Sequence, residues 1–437
     1  MAENIMDKLV ALCKRRGFIY PGSDIYGGLG GTWDYGPQGA LIKKNLKDLW
    51  WKDAVQLRDD VVGLDAAIMM HPRAWEASGH VEAFTDPLVE CKICHQRFRA
   101  DKADEIMAHE KSHGSDKEVS WTEPRKFNLL VKAYLGIIEG NQSEIYLRGE
   151  ITNGVHVNFK NVLDSNRVKI PFGIAQIGKA FRNEITPGNF TFRSREFEQM
   201  EVQFYIKPEG AEGRKWFDYW KQNCMDFYLH LGMKPENLRF RDHEDTERAH
   251  YAKMATDIEY KAPFGWAEFM GIHHRGDWDL SRHEKYSGRN LHYKDPVTGE
   301  EYLPWDIETS AGVDRSILFL LLDAYREEEN RVVLALHPKI APYKVAVFPL
   351  LANKDELVSK AREVYETLRR DMMVMFDSRG NIGKRYLSQD EMGTPWCVTV
   401  DFDSLEDGAA TVRDRDSMQQ ERVKIADLPE YFRQKLV

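Results

Sequence analysis

The chain has 437 residues, 42% hydrophobic and 30% charged, with a formal net charge of −9. That length suffices for two or three domains, and the balance is globular, which excludes a disordered or fibrous chain. The acidic total excludes a globally basic surface, so any contact with nucleic acid must use local patches.

Helical spacing of apolar residues predicts a helix over Ile5–Arg16, ended by Gly17. Met1 to Phe18 is charged and lacks the apolar core of a signal peptide. Tyr20–Gly36, rich in Gly, Pro and aromatic residues, reads as a structured loop. Pro37 suits the first turn of a second helix reaching about Val55, with Leu41, Leu46, Leu49 and Trp50 as its apolar stripe. Val61–Met70 reads as a strand stopped by Pro72, and residues 81–130, rich in His, Cys and charge, read as an insertion. Short strand-like runs follow from Tyr146 to Tyr205, then a helix over Trp216–Leu231 and strands and turns over Trp266–Leu280. Ile317–Leu322 continues into Tyr325 as a buried helix.

The composition shifts around His337–Pro342, where Pro338 and Pro342 bracket a linker. Beyond it the spacing predicts a strand at Val345–Leu350, an amphipathic helix at Lys354–Asp371, and strands at Met373–Phe376 and Cys397–Val400. Strand–helix alternation of this kind predicts a small α/β domain.

Five cysteines (Cys13, Cys91, Cys94, Cys224 and Cys397) are too few for a disulfide framework at this size and point to a reducing compartment. The longest apolar run, Ile317–Leu322, is too short to span a bilayer. A cytoplasmic protein with no membrane association is the expectation.

Two motifs mislead. Gly173–Ala180 matches G-x-x-x-x-G-K, but Ala180 stands where a phosphate-binding loop needs Ser or Thr, and Pro171 interrupts the strand that should precede it. Gly27–Gly31 is glycine-rich but opens no apolar helix after a strand.

Two segments carry chemistry. Phe181–Tyr205 reads as strand, loop, strand, with the turn near Thr186–Asn189. Alternation puts Arg182 and Glu184 on one face of the first strand. On the second, Glu196, Glu198 and Met200 share one face and Phe197, Gln199 and Glu201 the other. Asp306–Arg315 reads as a short strand, small residues and a helix start, placing Arg315 in the first turn of a buried helix. A cation there needs an anion facing it, and an arginine fork suits phosphate. Gly312 would let a ligand approach the backbone. Taken singly, an Arg-x-Glu pair on a strand is usually a surface salt bridge, and Arg315 alone could serve a structural ion pair.

Phe181-Arg182-Asn183-Glu184, followed by Phe192-Arg193-Ser194-Arg195-Glu196-Phe197, resembles the second signature of class II aminoacyl-tRNA synthetases; Gly312-Val313-Asp314-Arg315 resembles their third. The stretch around Met70–Pro72, after the Leu41–Val55 helix, resembles the first, which forms the dimer interface in that class. Within the class the chain is most similar to the dimeric glycyl-tRNA synthetases. Trp33–Pro37, Phe197–Glu201, Glu308–Gly312, Arg379–Arg385 and Gln389–Pro395 support this. Thr309 stands where relatives often have proline.

The resemblance implies an α+β fold: an antiparallel catalytic sheet flanked by helices over residues 1–337, with the insertion at about 81–130, then an α/β anticodon-binding domain over 338–437. It implies glycine–tRNA ligation in two steps, with ATP, Mg2+, glycine and tRNA(Gly) as partners and a homodimer as the assembly. Arg182, Glu184 and Arg315 would be catalytic. ATP contacts would come from Arg182, Asn183, Glu184, Phe192, Arg193, Phe197, Glu268, Phe269, Gly312, Asp314 and Arg315. Glycine contacts would come from Arg99, Glu150, Phe197, Glu198, Gln199, Glu201, Arg275, Glu308, Ser310 and Gly312. Among these, Arg182 would hold the α-phosphate and the glycine carboxylate, and Phe197 would stack on adenine. Glu150, Glu201 and Glu308 would bind the ammonium, because a substrate without a side chain offers a hydrophobic pocket nothing to grip. Two other readings stay open: a non-catalytic nucleic-acid-binding relative, and a class II synthetase for another amino acid.

In the insertion, Cys91-x2-Cys94 and His109-x3-His113 have zinc-ligand spacing, with both histidines on one helix face. Zinc and a solvated insertion with two incidental thiols both remain open. In the C-terminal domain, Arg379, Lys384, Arg385, Arg413 and Arg415 are candidate RNA contacts, against a reading as ordinary surface charge.

Overall fold

The computed structural model describes residues 4–114, 119–137, 142–244 and 252–436. Helix α1 (Ile5–Arg16) is capped by the Asn4 side chain, which accepts from the Met6 N–H, and ends at Gly17 with φ 74°. The expected loop over Tyr20–Gly36 contains a two-stranded ribbon, Ile19–Pro21 paired with Trp33–Tyr35. Helix α2 (Pro37–Trp51) starts on Pro37 but buries Ile42, Leu46 and Trp50. The apolar stripe is therefore the i, i+4, i+8 row through Ile42, and Leu41 lies outside it.

The strand expected over Val61–Met70 is only β1 (Val61–Gly63). Pro72 begins a helix, Pro72–Ala77, rather than stopping a strand. Proline is suited to that position because the first helical N–H has no partner to lose. The insertion forms an antiparallel sheet, Arg97–Arg99 against Thr85–Glu90 against Arg125–Asn128, with helix α3 (Ala103–Ser112). Residues 115–118 of that insertion lie outside the described residues.

The centre of the molecule is a seven-stranded sheet. Its other strands are β2 (Phe172–Phe181), β3 (Glu196–Ile206), β4 (Leu238–Asp242), β5 (Met254–Ala262), β6 (Gly265–Gly276) and β7 (Trp305–Gly312). The order is β4-β5-β6-β7-β3-β2-β1, antiparallel throughout except for the parallel pair β1–β2. Where short runs were expected over 146–205, two helices (Thr152–His156 and Phe159–Asn166) precede two long strands. Trp266–Leu280 is mostly one twelve-residue strand, β6, and a helix starts at Trp278. Most of β6 is buried on both faces, which removes the alternation that would have marked it. The G-x-x-x-x-G-K stretch lies inside β2, where Lys179 pairs with Glu196 across the ladder, so it cradles no phosphate.

Helices α4 (Gly210–His230) and α5 (Val313–Ala324) join α2 in the main core, which takes Met200, Val202 and Phe204 from β3 and Ile307 and Ala311 from β7. Helix α5 ends at Ala324, and Tyr325 opens a strand. Alternation along β3 then sends Glu201 and Gln203 away from that core. This core reaches Ala341, and a second begins at Val345. The second is built on strands Val374–Phe376, Val345–Pro349, Trp396–Val400, Ala409–Asp414 and Gln420–Lys424, in that spatial order, covered by α6 (Asp355–Leu368). Arg331 ties the two parts together through Asp390 and the Arg415 carbonyl. Among the described residues, no helix is long and apolar enough to cross a membrane.

Candidate active site

Strand register builds the site. On the β3–β7–β6 ladder, Glu201 lies opposite Ser310, which lies opposite Gly271. Two residues along, Gln203 lies opposite Glu308, which lies opposite His273. A period of two puts both rows on the same face. Gly271 is required by this packing, since a Cβ there would meet the His273 ring at 2.6 Å. These rows floor a cleft of about 920 Å3, its mouth included.

At one end three carboxylates converge. Ser310 donates to Glu201 Oε1 at 2.6 Å and Gln199 Nε2 to the same oxygen at 2.9 Å. The Thr152 hydroxyl lies 2.8 Å from Glu201 and 3.0 Å from Glu308. One hydroxyl carries one proton, so it cannot fully satisfy two ionised carboxylates. Burial, then the charges of Glu308 and Glu150, push Glu201 up to about 8, so its carboxyl keeps a proton and can donate to Thr152. Burial also disfavours charge on Glu308, but Arg275, 3.0 Å away, and His273, 2.9 Å away, outweigh it and hold that carboxyl well below the usual range. Arg275 is itself braced by Asp279 at 2.7 and 2.9 Å. Glu150 is held down by His80, 3.3 Å away, against its burial. Among the described residues, the buried Oε1 atoms of Gln199 and Gln203 have no hydrogen-bond partner. This end of the cleft is a set of acceptors suited to a small cation that can donate several hydrogen bonds.

At the other end three arginines converge. Arg182 donates to the Gly149 carbonyl at 3.0 Å and, among the described residues, has no carboxylate partner. Its guanidinium lies 5.2 Å from the centres of both the Phe84 and Phe197 rings. Arg315 donates to the carbonyls of Phe192 and Glu268, both at 3.0 Å, and lies over the Phe192 ring at 4.4 Å. Burial lowers its pKa; Glu268 opposes this, and Arg182 and Arg193 add to it. Arg193 reaches Glu105 at 3.3 Å. Burial raises Glu184 against the pull of Arg182 and Arg193. An anion entering here would relieve the repulsion among the three cations.

Glu150, Arg182, Glu184, Phe192, Arg193, Phe197, Glu198, Gln199, Glu201, Glu268, Phe269, Arg275, Glu308, Ser310, Gly312, Asp314 and Arg315 all line the cleft. Arg99 does not: it pairs with Asp86 at 2.9 Å and Asp101 at 2.7 Å. Asn183 is also absent from the wall, and its N–H donates to the Leu129 carbonyl. Two wall residues have internal partners. Asp314 accepts from Tyr35 at 2.6 Å, Lys43 at 2.8 Å and the Glu198 N–H at 2.6 Å, while Glu198 pairs with Lys43 and Lys47. Arg182 and Glu184 are not alternating strand residues, because β2 ends at Phe181 and both lie in the loop beyond it. Gly312 has extended backbone that any residue adopts, at φ −76°. The sequence reading missed Thr152, Thr191, Ser194, Gly271 and His273. Only the strand register exposes Gly271 and His273, and only helix packing brings in Thr152.

In the insertion, single ligand atoms of Cys91, Cys94, His109 and His113 all lie within 4.8 Å of one another. Three of the five candidate RNA contacts are corrected. Arg385 donates to the carbonyls of Arg379, Pro349 and Gly380; Arg413 is buried on Asp390; Arg415 is buried on the carbonyls of Leu336 and Gly393. Arg379 and Lys384 are exposed.

Residues 344–435 match the Anticodon binding domain family. Over 462 aligned residues the chain is 51% identical to the glycine–tRNA ligase of Alkaliphilus oremlandii, covering 99% of each chain. It is 51% identical over 459 residues to that of Geobacillus kaustophilus, covering 99% of each. It is 50% identical over 440 residues to that of Borreliella burgdorferi, covering 99% of this chain and 98% of the relative. With half of its residues shared along almost its whole length, the chain belongs to the glycine–tRNA ligase family of class II aminoacyl-tRNA synthetases.

Proposed function

We propose that this chain activates glycine with ATP and transfers the glycyl group to the 3′ end of tRNA(Gly). The observation that carries the reading is one cleft with buried carboxylates at one end and arginines at the other. The ammonium of glycine meets Glu150, Glu201 and Glu308, with the buried Gln199 Oε1, unpartnered among the described residues, as a further acceptor. Arg275 and Ser310 close the space around the α-carbon. The glycine carboxylate then points at Arg182.

A carboxylate oxygen attacks the α-phosphorus of ATP, the bond to the bridging oxygen breaks, and pyrophosphate leaves. The nucleophile is already anionic, so this step needs no general base. Arg182 bridges the carboxylate and the α-phosphate, while Arg193 and Arg315 balance charge on the leaving group. Phe197 stacks on adenine, and Glu184 orients the adenine end or the tRNA terminus. A ribose hydroxyl of the tRNA next attacks the carbonyl, its proton passes to the phosphate, the bond from the carbonyl carbon to the phosphate oxygen breaks, and AMP departs.

Mg2+ takes hard oxygen ligands, and Glu268, half-exposed with a carboxylate oxygen 3.8 Å from Arg315, offers one beside the phosphates. The catalytic unit, expected over residues 1–337, extends through its core to Ala341, and the anticodon-binding unit follows it. Exposed Arg379 and Lys384 are its remaining RNA contacts from the sequence. Leu57 and Met69, exposed beside the first-signature region, support a homodimer. Sedimentation at twice the 50.8 kDa chain mass would bear that out, and a stable monomer would refute it.

The deciding experiment is ATP–pyrophosphate exchange measured with each of the twenty amino acids. Glycine-dependent exchange is expected. No exchange supports a non-catalytic relative, and exchange with another amino acid overturns the specificity.

A further inference from the structure

We infer that Cys91, Cys94, His109 and His113 form a zinc site that staples helix α3 to the insertion's sheet and so holds Glu105 against Arg193. The metal half stands alone; the coupling half rests on the ATP-site reading above.

Single ligand atoms of the four residues lie within 4.8 Å of one another, and three of their separations are close to tetrahedral edges. Cys94 Sγ lies 3.3 Å from His109 Nε2, Cys91 Sγ 3.6 Å from His113 Nε2, and the two Nε2 atoms 3.0 Å apart. Zn–S bonds of about 2.3 Å and Zn–N bonds of about 2.0 Å give tetrahedral edges of roughly 3.5 Å for S···N and 3.3 Å for N···N. Two thiols and two imidazoles suit zinc and exclude the oxygen-seeking Ca2+ and Mg2+. The His109 ring is fixed between Phe98, at 4.6 Å, and Trp121, at 5.6 Å.

Helix α3 supplies an independent argument. It has ten residues and fully buries none of them. A helix this short is marginal unless tertiary contacts hold it. Its contacts run through the His109 ring, packed against Phe98 and Trp121, and through Glu110, which accepts from Trp121 Nε1 at 2.8 Å. A metal joining His109 and His113 to Cys91 and Cys94 adds a stronger anchor to these few contacts.

The anchor reaches the cleft. Glu105 lies one helical turn before His109 on the same face. It meets Arg193 at 3.3 Å. Arg193 is a long side chain at the edge of the loop, and fixing it costs rotamer entropy. Glu105 is a positioning residue that keeps Arg193 ordered before ATP arrives.

The test has two readouts. Protein expressed with zinc available should carry one zinc per chain by mass spectrometry, and Co2+ exchanged into it should give tetrahedral visible absorption with a thiolate charge-transfer band. Cys94→Ser, at an exposed position, should lose metal and spectrum and raise KM for ATP several-fold while KM for glycine stays unchanged. Glu105→Gln should keep the metal and show the same ATP shift. If Cys94→Ser does not fold by circular dichroism, chelator-treated wild type takes its place. Neither stoichiometric zinc nor a cobalt spectrum overturns the site. Metal loss, or Glu105→Gln, with an unchanged or lower ATP KM overturns the coupling. Absence of all exchange in the metal-loaded wild type strikes the ATP-site reading and leaves the zinc result standing.

Discussion

Glu201→Gln separates function from stability. Glu201 is 1% exposed, and its carboxyl is pushed from the usual 4.5 to about 8 by burial and by Glu308 and Glu150. The amide keeps the shape and one acceptor oxygen, which Ser310 and Gln199 already occupy. On the other side, Thr152 can turn to accept from the new amide and donate to Glu308. Gln203 Nε2, 3.4 Å from the Glu201 oxygen on that side, would face the new amide N–H2 and keep only Glu308, at 3.2 Å, as acceptor, while the ammonium of glycine loses a charged acceptor. A hydrogen bond to a charged group is worth about 1.5–3 kcal/mol, so at pH ~9, where Glu201 is ionised, KM for glycine should rise roughly 10- to 150-fold, and less at pH ~7, where binding must first remove the proton. Stability should move the other way. The folded chain keeps a proton on Glu201 that the unfolded chain releases between about pH 4.5 and 8, so wild-type stability falls as pH rises through that window. The variant lacks this slope and should gain on wild type at pH ~9 relative to pH ~5. Binding the ammonium favours the ionised carboxylate, so wild-type glycine KM should fall as pH rises toward 8, and the variant's should not follow it. Pyrophosphate exchange against glycine concentration and denaturant melts at the two pH values measure both effects. A variant with wild-type glycine KM refutes the placement of the ammonium; one that loses ground at high pH refutes the electrostatics.

Arg182→Ala should lower kcat/KM for pyrophosphate exchange by about 3 kcal/mol or more, over a hundredfold, as expected for a charge-assisted transition-state contact; near-normal exchange would show that Arg182 does not bridge the reactants. Asp390→Asn strips the carboxylate from Arg331 and Arg413, both within 3.1 Å of it and nearly buried, and should cost about 3–5 kcal/mol in a denaturant titration. An unchanged melt would mean that these guanidiniums find other partners. Arg379→Ala, at a side chain 85% exposed, should raise KM for tRNA in charging and leave pyrophosphate exchange unchanged; equal charging would remove it from the RNA surface.

The C-terminal part was legible because its strands and helix are short, well punctuated and of clean period: α6 buries Leu357, Ala361, Val364 and Leu368, a single apolar stripe inside the helix expected over Lys354–Asp371. The central sheet was harder. Strands buried on both faces lose alternation, so β6 read as pieces, and Pro72 was legible as a boundary but not as the beginning of a helix. Charge was the least legible of all. Arg385, Arg413 and Arg415 look like surface cations in a list, yet each is buried on carbonyls or a carboxylate supplied by other segments.

By itself the sequence determined the kind of site this is. The Arg182–Glu201 and Glu308–Arg315 segments carry the arginines and carboxylates in an order tied to adenylate chemistry, and that order survives any packing. Tertiary structure alone decided how these groups meet. Register across β3, β7 and β6 set Glu201 beside Ser310 and Glu308 beside His273, helix packing brought in Thr152, and Arg99 was left outside on Asp86. The reason is that a register or a helix position is fixed by the sum of contacts made far along the chain, and no local window of residues contains that sum.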